Sequence, residues 1–254
     1  MTVVDCFTFF NELDLLEIRL NELDSAVDYF VIVEAERSHQ NKPKPLFYKE
    51  LADTRFKQWK DKIISVVVPA EDFVDDTWRN ENNQFRAIRD GLSQFSDDDL
   101  VMIGAVDEIP KIESIPSTIH TPMCFNQKLY YFYLNTLYNH GGSTQWNGTT
   151  IQKLSQIPED LYDIIRYRNI FLKIANGGWH FSYLGDAKNA IEKIRNFAHD
   201  EFNHLTEQDL ESFITNLSDP VGRRGFSSVN KIEEIDCLPK YVQNNLEKFR
   251  KYLK

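Results

Sequence analysis

A chain of 254 residues that is 42% hydrophobic and 13% aromatic can bury one large core, and no stretch of it reads as low complexity. Its net charge of −10 excludes a general nucleic-acid binder, because neutralising a phosphate backbone needs a basic surface. Cys6, Cys124 and Cys237 are far apart and lack C-x-x-C spacing, so they signal neither a disulfide framework nor a zinc site and fit a reducing compartment. The start, "MTVVDCFTFFNELD", lacks the basic end and long apolar core of a signal peptide. Nor does any apolar run reach the roughly 18 residues of a membrane span.

In chain order, "TVVDCFTFF" is β-branched and aromatic and predicts a strand. "NELDLLEIRLNEL" places Leu13, Leu16, Leu20 and Leu23 at helical spacing, with Asn11 as the cap. "DYFVIVEA" is a continuous apolar run ending in Glu34, as in a parallel strand buried on both faces. "KIISVVVP" predicts a third strand, "ENNQFRAIRDGLSQF" a helix with Phe85, Ile88 and Leu92 on one face, and "DLVMIGAVDE" a fourth strand. Strands alternating with helices predict an α/β sandwich whose ligands sit at the carboxyl ends of the strands, where Asn11, Glu34 and Asp107 fall. Farther on, "MCFNQKLYYFYLN" reads as an aromatic strand, "GGSTQWNGTT" and "NGGWHFSYLG" as glycine-bearing loops, and "DAKNAIEKIRNFAH" as a helix. The tail "KYVQNNLEKFRKYLK" puts Tyr241, Leu246, Phe249 and Leu253 on one face among basic residues. That pattern predicts a helix packed on the body, the alternative being weak contact with a membrane surface.

The blocks "DCFTFFNELDLLEIRLNEL", "DYFVIVEAERSHQNKPKPL", "VDEIP", "WNGT", "NGGWHFSY" and "KIRNFAHDEFN", in this order, resemble glycosyltransferase family 17 from about residue 3 to about residue 225. The resemblance implies a single GT-A-like domain, that is, a Rossmann-like mixed sheet flanked by helices. Residues 1–115 would form the nucleotide-sugar-binding half, 116–235 the acceptor-side half and 236–254 a helical tail. It also implies inverting transfer of a sugar, N-acetylglucosamine in the best-known members, from a UDP-sugar to a hydroxyl of a glycan acceptor, with Mn²⁺ or Mg²⁺ as cofactor. The known eukaryotic members carry an N-terminal membrane anchor that is absent here, so a soluble cytoplasmic microbial or viral relative, or a trimmed catalytic domain, is expected.

The chemistry centres on "IGAVDEIP", where Asp107 and Glu108 leave a strand side by side. Charge developing on a departing diphosphate is stabilised by a divalent cation, and such hard ions take oxygen ligands, so Asp107 is the first metal ligand to consider. The family usually reads serine, aspartate, one spacer, then Asp-Glu-Ile-Pro; here Gly104 and Ala105 replace the first two. Asp107 would then rely on phosphate and water to complete the shell, with Ala105 on the donor side. An impaired relative that binds donor without turnover, and a nucleotidyl- or phosphotransferase using the same strand-end acid, are the alternatives.

His180 and His199 match family motifs and are expected to join the metal or touch the pyrophosphate, against the bland reading of packed core residues. His39, His120, His140 and His204 lack such context and are expected at the surface. Arg86, Arg166 and Arg168 are the candidate diphosphate partners, since guanidinium matches phosphate geometry, unless they only pair on helix surfaces. Asn11 and Glu34 would meet ribose or base. Glu108 and Asp186 are the candidate bases for the acceptor hydroxyl. Trp146 and Trp179 would offer flat faces to sugar or donor, or simply fill the core.

Overall fold

The computed structural model describes residues 1–139, 143–219 and 231–254. Its first half alternates strand and helix: β1 (Val3–Thr8), α1 (Leu13–Leu23), β2 (Tyr29–Ala35), α2 (Phe47–Leu51), β3 (Ile63–Val68), α3 (Thr77–Ala87) and β4 (Leu100–Ala105). The second half continues with β5 (Glu108–Pro110), β6 (Met123–Tyr131), β7 (Thr136–Leu137), β8 (Gln145–Lys153), α4 (Tyr162–Tyr167), β9 (Leu172–Ile174) and β10 (Gly178–Ser182). Then come α5 (Ala187–Ile194), α6 (Glu207–Asn216), β11 (Lys231–Ile232), α7 (Lys240–Asn244) and α8 (Leu246–Phe249).

Strands β3, β2, β1 and β4 lie side by side and parallel, with Cys6 opposite Val31 on one flank and Ile103 on the other. They read as apolar runs because both faces are covered. One face packs Phe7, Phe30, Ile32 and Met102 against Leu16 and Leu20 of α1; the other packs Cys6, Val31, Val33 and Ile103 against Phe85 and Ile88. Beyond β4 the sheet turns antiparallel: β8 pairs with β4, β6 with β8, and β10 joins β6 in parallel and β5 in antiparallel fashion. One sheet therefore crosses both halves, and the molecule is a mixed sheet flanked by helices, a GT-A-like single domain.

Several local expectations need correction. Glu12, not Asn11, stands at the N-cap position of α1, and its carboxylate turns back to accept from the backbone N–H groups of Phe10 (3.2 Å) and Asn11 (3.1 Å). Helix α3 begins before Glu81, capped by Asp76, and gives way to a 3₁₀ turn over Ile88–Leu92. Gly91 lies in that turn because a Cβ there would come within 2.4 Å of Val31.

The two glycine-bearing segments taken as loops contain strands: β8 takes up the first from Gln145 onward, residues 141–142 lying outside the described residues, and β10 runs through the second. Gly148 leaves room for the Gln127 side chain, and Gly178 sits at φ +122° with the Ile109 carbonyl pressed against it, so these glycines permit close strand packing rather than turns. The tail is not one helix: it breaks at Asn245, and Val242, Phe249 and Tyr252 are buried while Leu246 is exposed. Its apolar side is spent on the body, where the Tyr252 hydroxyl donates to Asp14 (2.6 Å) and Lys248 pairs with Glu17.

The least expected packing feature is Arg19, on α1, which is fully buried together with Asp5 of β1. Its Nε and Nη2 donate to the two Asp5 oxygens at 2.7 Å each, and Nη1 donates to the carbonyls of Ala105 and Glu108, again at 2.7 Å. The guanidinium also lies 4.4 Å from the Phe7 ring centre. Removing one member of such a pair strands a buried charge, which typically costs about 3–5 kcal/mol. Arg19→Leu is therefore expected to lower unfolding free energy by about that much in urea titrations. A loss below about 1 kcal/mol would show that the pair is not the clamp described.

Candidate active site

The carboxyl ends of β1 and β4 open onto a cleft of about 340 Å³, the place where open α/β sheets bind ligands. Its floor is the turn between β4 and β5. Arg19 holds the Ala105 and Glu108 carbonyls, Thr149 Oγ1 also donates to the Glu108 carbonyl (2.6 Å), and the Phe181 N–H donates to the Asp107 carbonyl (2.9 Å). The backbone around the two acids is thus fixed from three sides.

Each acid meets its own cation. Asp107, 5% exposed, accepts from Lys193 Nζ at 2.7 Å, and His180 Nε2 lies 3.6 Å from the same oxygen. Burial alone would raise its pKa, but the Lys193 ammonium and His180 outweigh burial and hold the carboxyl far below the usual carboxylate range. Lys193, from α5, also lies 3.3 Å from Glu12 Oε1. Burial would depress its pKa, yet Asp107 and Glu12 raise it above the ordinary lysine value, so it stays charged. Glu108 is bonded at both oxygens, by Arg168 Nη1 (2.8 and 3.0 Å), Trp146 Nε1 (2.7 Å) and the Ala105 N–H (3.2 Å).

Of the residues singled out in the sequence, Ala105, Asp107, Glu108, Arg168, His180, His199 and Trp146 line this cleft. The others do not. Asn11 lines an adjoining cavity of about 330 Å³ that shares Glu12, Tyr183 and Lys193 with it. Glu34 is buried, where its carboxylate accepts from the Tyr48 and Lys49 N–H groups at the start of α2. Arg86 pairs with Asp160 and Arg166 with Asp163, both on the surface; Trp179 is buried and donates to the Cys237 carbonyl (2.8 Å); Asp186 caps α5 by accepting from the Asn189 N–H. His120 and His204 are exposed, and His140 lies outside the described residues.

His39 corrects a surface expectation. It lines the cleft, its Nδ1 is buried without a hydrogen-bond partner, and burial lowers its pKa to about 4, so the ring is neutral. Sequence reasoning also passed over Glu81 and Lys193. Glu81 is on α3 in the cleft wall, where burial pushes its carboxyl up to about 7, the nearby Glu108 charge adding to the rise while Arg168 and a Tyr162 hydrogen bond oppose it. A glutamate in a predicted helix reads as solvated and gives no warning. Lys193 did leave a signal: it is the first residue of the motif "KIRNFAHDEFN".

The residues present do not fit a resident divalent cation. Among the described residues no three His, Cys, Asp or Glu side chains converge as ligands. Ala105 brings a methyl group where an acid was expected to help, His199 is bonded through Nδ1 to Glu201 (2.7 Å) and packs edge-on to Trp78, and Asp107 is already neutralised by Lys193. Gly104 fits its place for steric reasons: a Cβ would lie 2.4 Å from Thr149 Oγ1 and 3.0 Å from Glu108 Oε2.

A mixed sheet of this order, with an acid-bearing turn at the end of β4 in a cleft, defines a GT-A-like transferase domain. The family model described as glycosyltransferase family 17 matches residues 1–216, and the chain belongs to that family. Over 120 residues it is 28% identical to the β-1,4-mannosyl-glycoprotein 4-β-N-acetylglucosaminyltransferases of Rattus norvegicus and Homo sapiens, and 27% identical to that of Mus musculus. The match covers 44% of this chain and 22% of each relative, so only about a fifth of the length of these curated relatives is matched by this chain. Among the described residues no helix is long and apolar enough to cross a membrane.

The Gly104 geometry is directly testable. Restoring the family's usual serine as Gly104→Ser should overpack the site and cost about 1–3 kcal/mol, measured as a lowered melting temperature. Adding Thr149→Ala should recover part of the loss. An unchanged melt would mean that β8 yields freely at this point.

Proposed function

We propose that the cleft binds a UDP-sugar and transfers its sugar, N-acetylglucosamine, with inversion to a hydroxyl of a glycan acceptor. The observation that carries this reading is the clamped Asp107–Glu108 turn at the carboxyl end of β4, facing a cleft that also contains Lys193 and Arg168, in a chain of glycosyltransferase family 17. That the mammalian relatives are β-1,4-mannosyl-glycoprotein 4-β-N-acetylglucosaminyltransferases supports the choice of sugar and acceptor.

In a single displacement the acceptor oxygen attacks the anomeric carbon, the bond from that carbon to the diphosphate oxygen breaks with its electron pair leaving on UDP, and the acceptor proton passes to a base. Glu81 is the best placed base. Glu108 has both oxygens engaged, and Asp186 serves as a helix cap outside the cleft. Glu81 faces the cleft with a pKa near the working pH, which is where a general base combines the correct charge state with a useful affinity for the proton. Lys193 and Arg168 supply positive charge for the departing diphosphate.

The donor class is tested by incubating the protein with UDP-, GDP- and CMP-sugars and a glycan acceptor. Release of UDP with an extended glycan is expected; pyrophosphate, a phosphorylated acceptor, or turnover of only GDP- or CMP-sugars would overturn the reading. Glu81 adds a pH signature, with kcat/KM rising as the pH passes up through about 7. The stability sign is opposite. The folded-state pKa exceeds the ordinary value of about 4.3, so this group's contribution falls as pH rises from there to about 7. Glu81→Gln should therefore lower kcat by about 10²- to 10⁴-fold and abolish the rise near neutrality. It should melt no lower than the parent at pH 8. A variant that keeps the parent's pH profile would remove Glu81 from the mechanism.

A further inference from the structure

We infer that the Lys193 ammonium stands in the place of a divalent cation, so that the nucleoside diphosphate is held and its leaving charge neutralised without metal. This rests on the UDP-sugar reading above. Lys193 reaches the cleft floor from α5, its side chain only 23% exposed, and touches the one buried acid that a cation at this turn would need. Asp107 Oδ2 is 2.7 Å from Nζ and Glu12 Oε1 is 3.3 Å from it. A dication at Asp107 would stand within a few ångströms of a partly buried ammonium, and the two positive charges would repel. The strand-end acid expected two residues before Asp107 is missing, because position 105 carries a methyl group.

The ammonium also has the donors for the task. It offers three N–H groups, of which one donates to Asp107, while Glu12 lies 3.3 Å away as an ion-pair partner and the nitrogen belongs to a side chain lining the cleft. Its partners hold it in position and keep it charged, as a preorganised site requires. Arg168, anchored on Glu108 and lying 5.5 Å from the Trp146 ring centre, supplies a second fixed positive charge. His180 contributes a neighbour to Asp107 rather than a third ligand, since no set of three donors forms among the described residues.

The test is calorimetric titration of UDP into the full chain after exhaustive EDTA treatment, repeated with Mn²⁺ and with Lys193→Met and Lys193→Arg. Equal UDP affinity with and without Mn²⁺ is expected. Losing a charge-assisted hydrogen bond should weaken UDP by about 10- to 100-fold in Lys193→Met, while Lys193→Arg, which keeps the charge, should retain most of the metal-free affinity. Circular dichroism of both variants separates loss of binding from loss of fold. UDP binding that requires Mn²⁺, or a Lys193→Met protein that binds Mn²⁺ and UDP more tightly than the parent, overturns the inference and leaves the UDP-sugar reading standing. No UDP binding under either condition brings down both.

Discussion

The buried Arg19–Asp5 pair is the constraint on which the cleft depends. Planar guanidinium can serve a carboxylate with one edge and reach carbonyls with the remaining nitrogen, and Arg19 does both, joining β1 and α1 to the turn that carries Asp107 and Glu108. A buried ion pair brings little net stability compared with a well-packed apolar pair of the same shape. Its return here is position. With the Ala105 and Glu108 carbonyls held, Asp107 and Glu108 each reach a separate cation, Lys193 from α5 and Arg168 from the end of α4.

That division matters in so acidic a protein. Two partly buried positive charges meet at the strand-end cleft, and each is set against a carboxylate that fixes its geometry. Burial acts on neighbouring groups too: it keeps His39 neutral, and it pushes the Glu81 pKa toward neutrality despite a Tyr162 hydrogen bond and the Arg168 charge. A carboxyl with a pKa near 7 beside anchored cations follows from desolvation within the cleft wall.

The central α/β framework was legible because its physics is repetitive. Strands β1, β2 and β4 are buried on both faces and so read as unbroken apolar runs, while α1 shows its leucines at helical spacing. Asp107 and Glu108 stood out as acids at a strand end. Strand β8 was hidden because Thr149, Thr150 and Gln152 are fully buried yet polar, with the Thr149 hydroxyl donating to the Glu108 carbonyl and the Gln152 amide N–H to the Val101 carbonyl. Arg19 was hidden for a related reason: a charge on an amphipathic helix is normally solvated, and only the three-dimensional arrangement supplies Asp5. Lys193, Glu81 and His39 come from elements far apart in sequence, and their meeting depends on the packing of α3 and α5 over the strand ends.

A crystal structure of the full chain with UDP-N-acetylglucosamine bound tests the central claim most directly. A donor bound at the strand-end cleft should place its diphosphate within hydrogen-bond reach of Lys193 and Arg168, with the anomeric carbon between the Asp107 turn and Glu81. A nucleotide seated instead in the adjoining cavity around Asn11, Asp14 and Arg55, with the Lys193–Asp107 cleft empty, would contradict it.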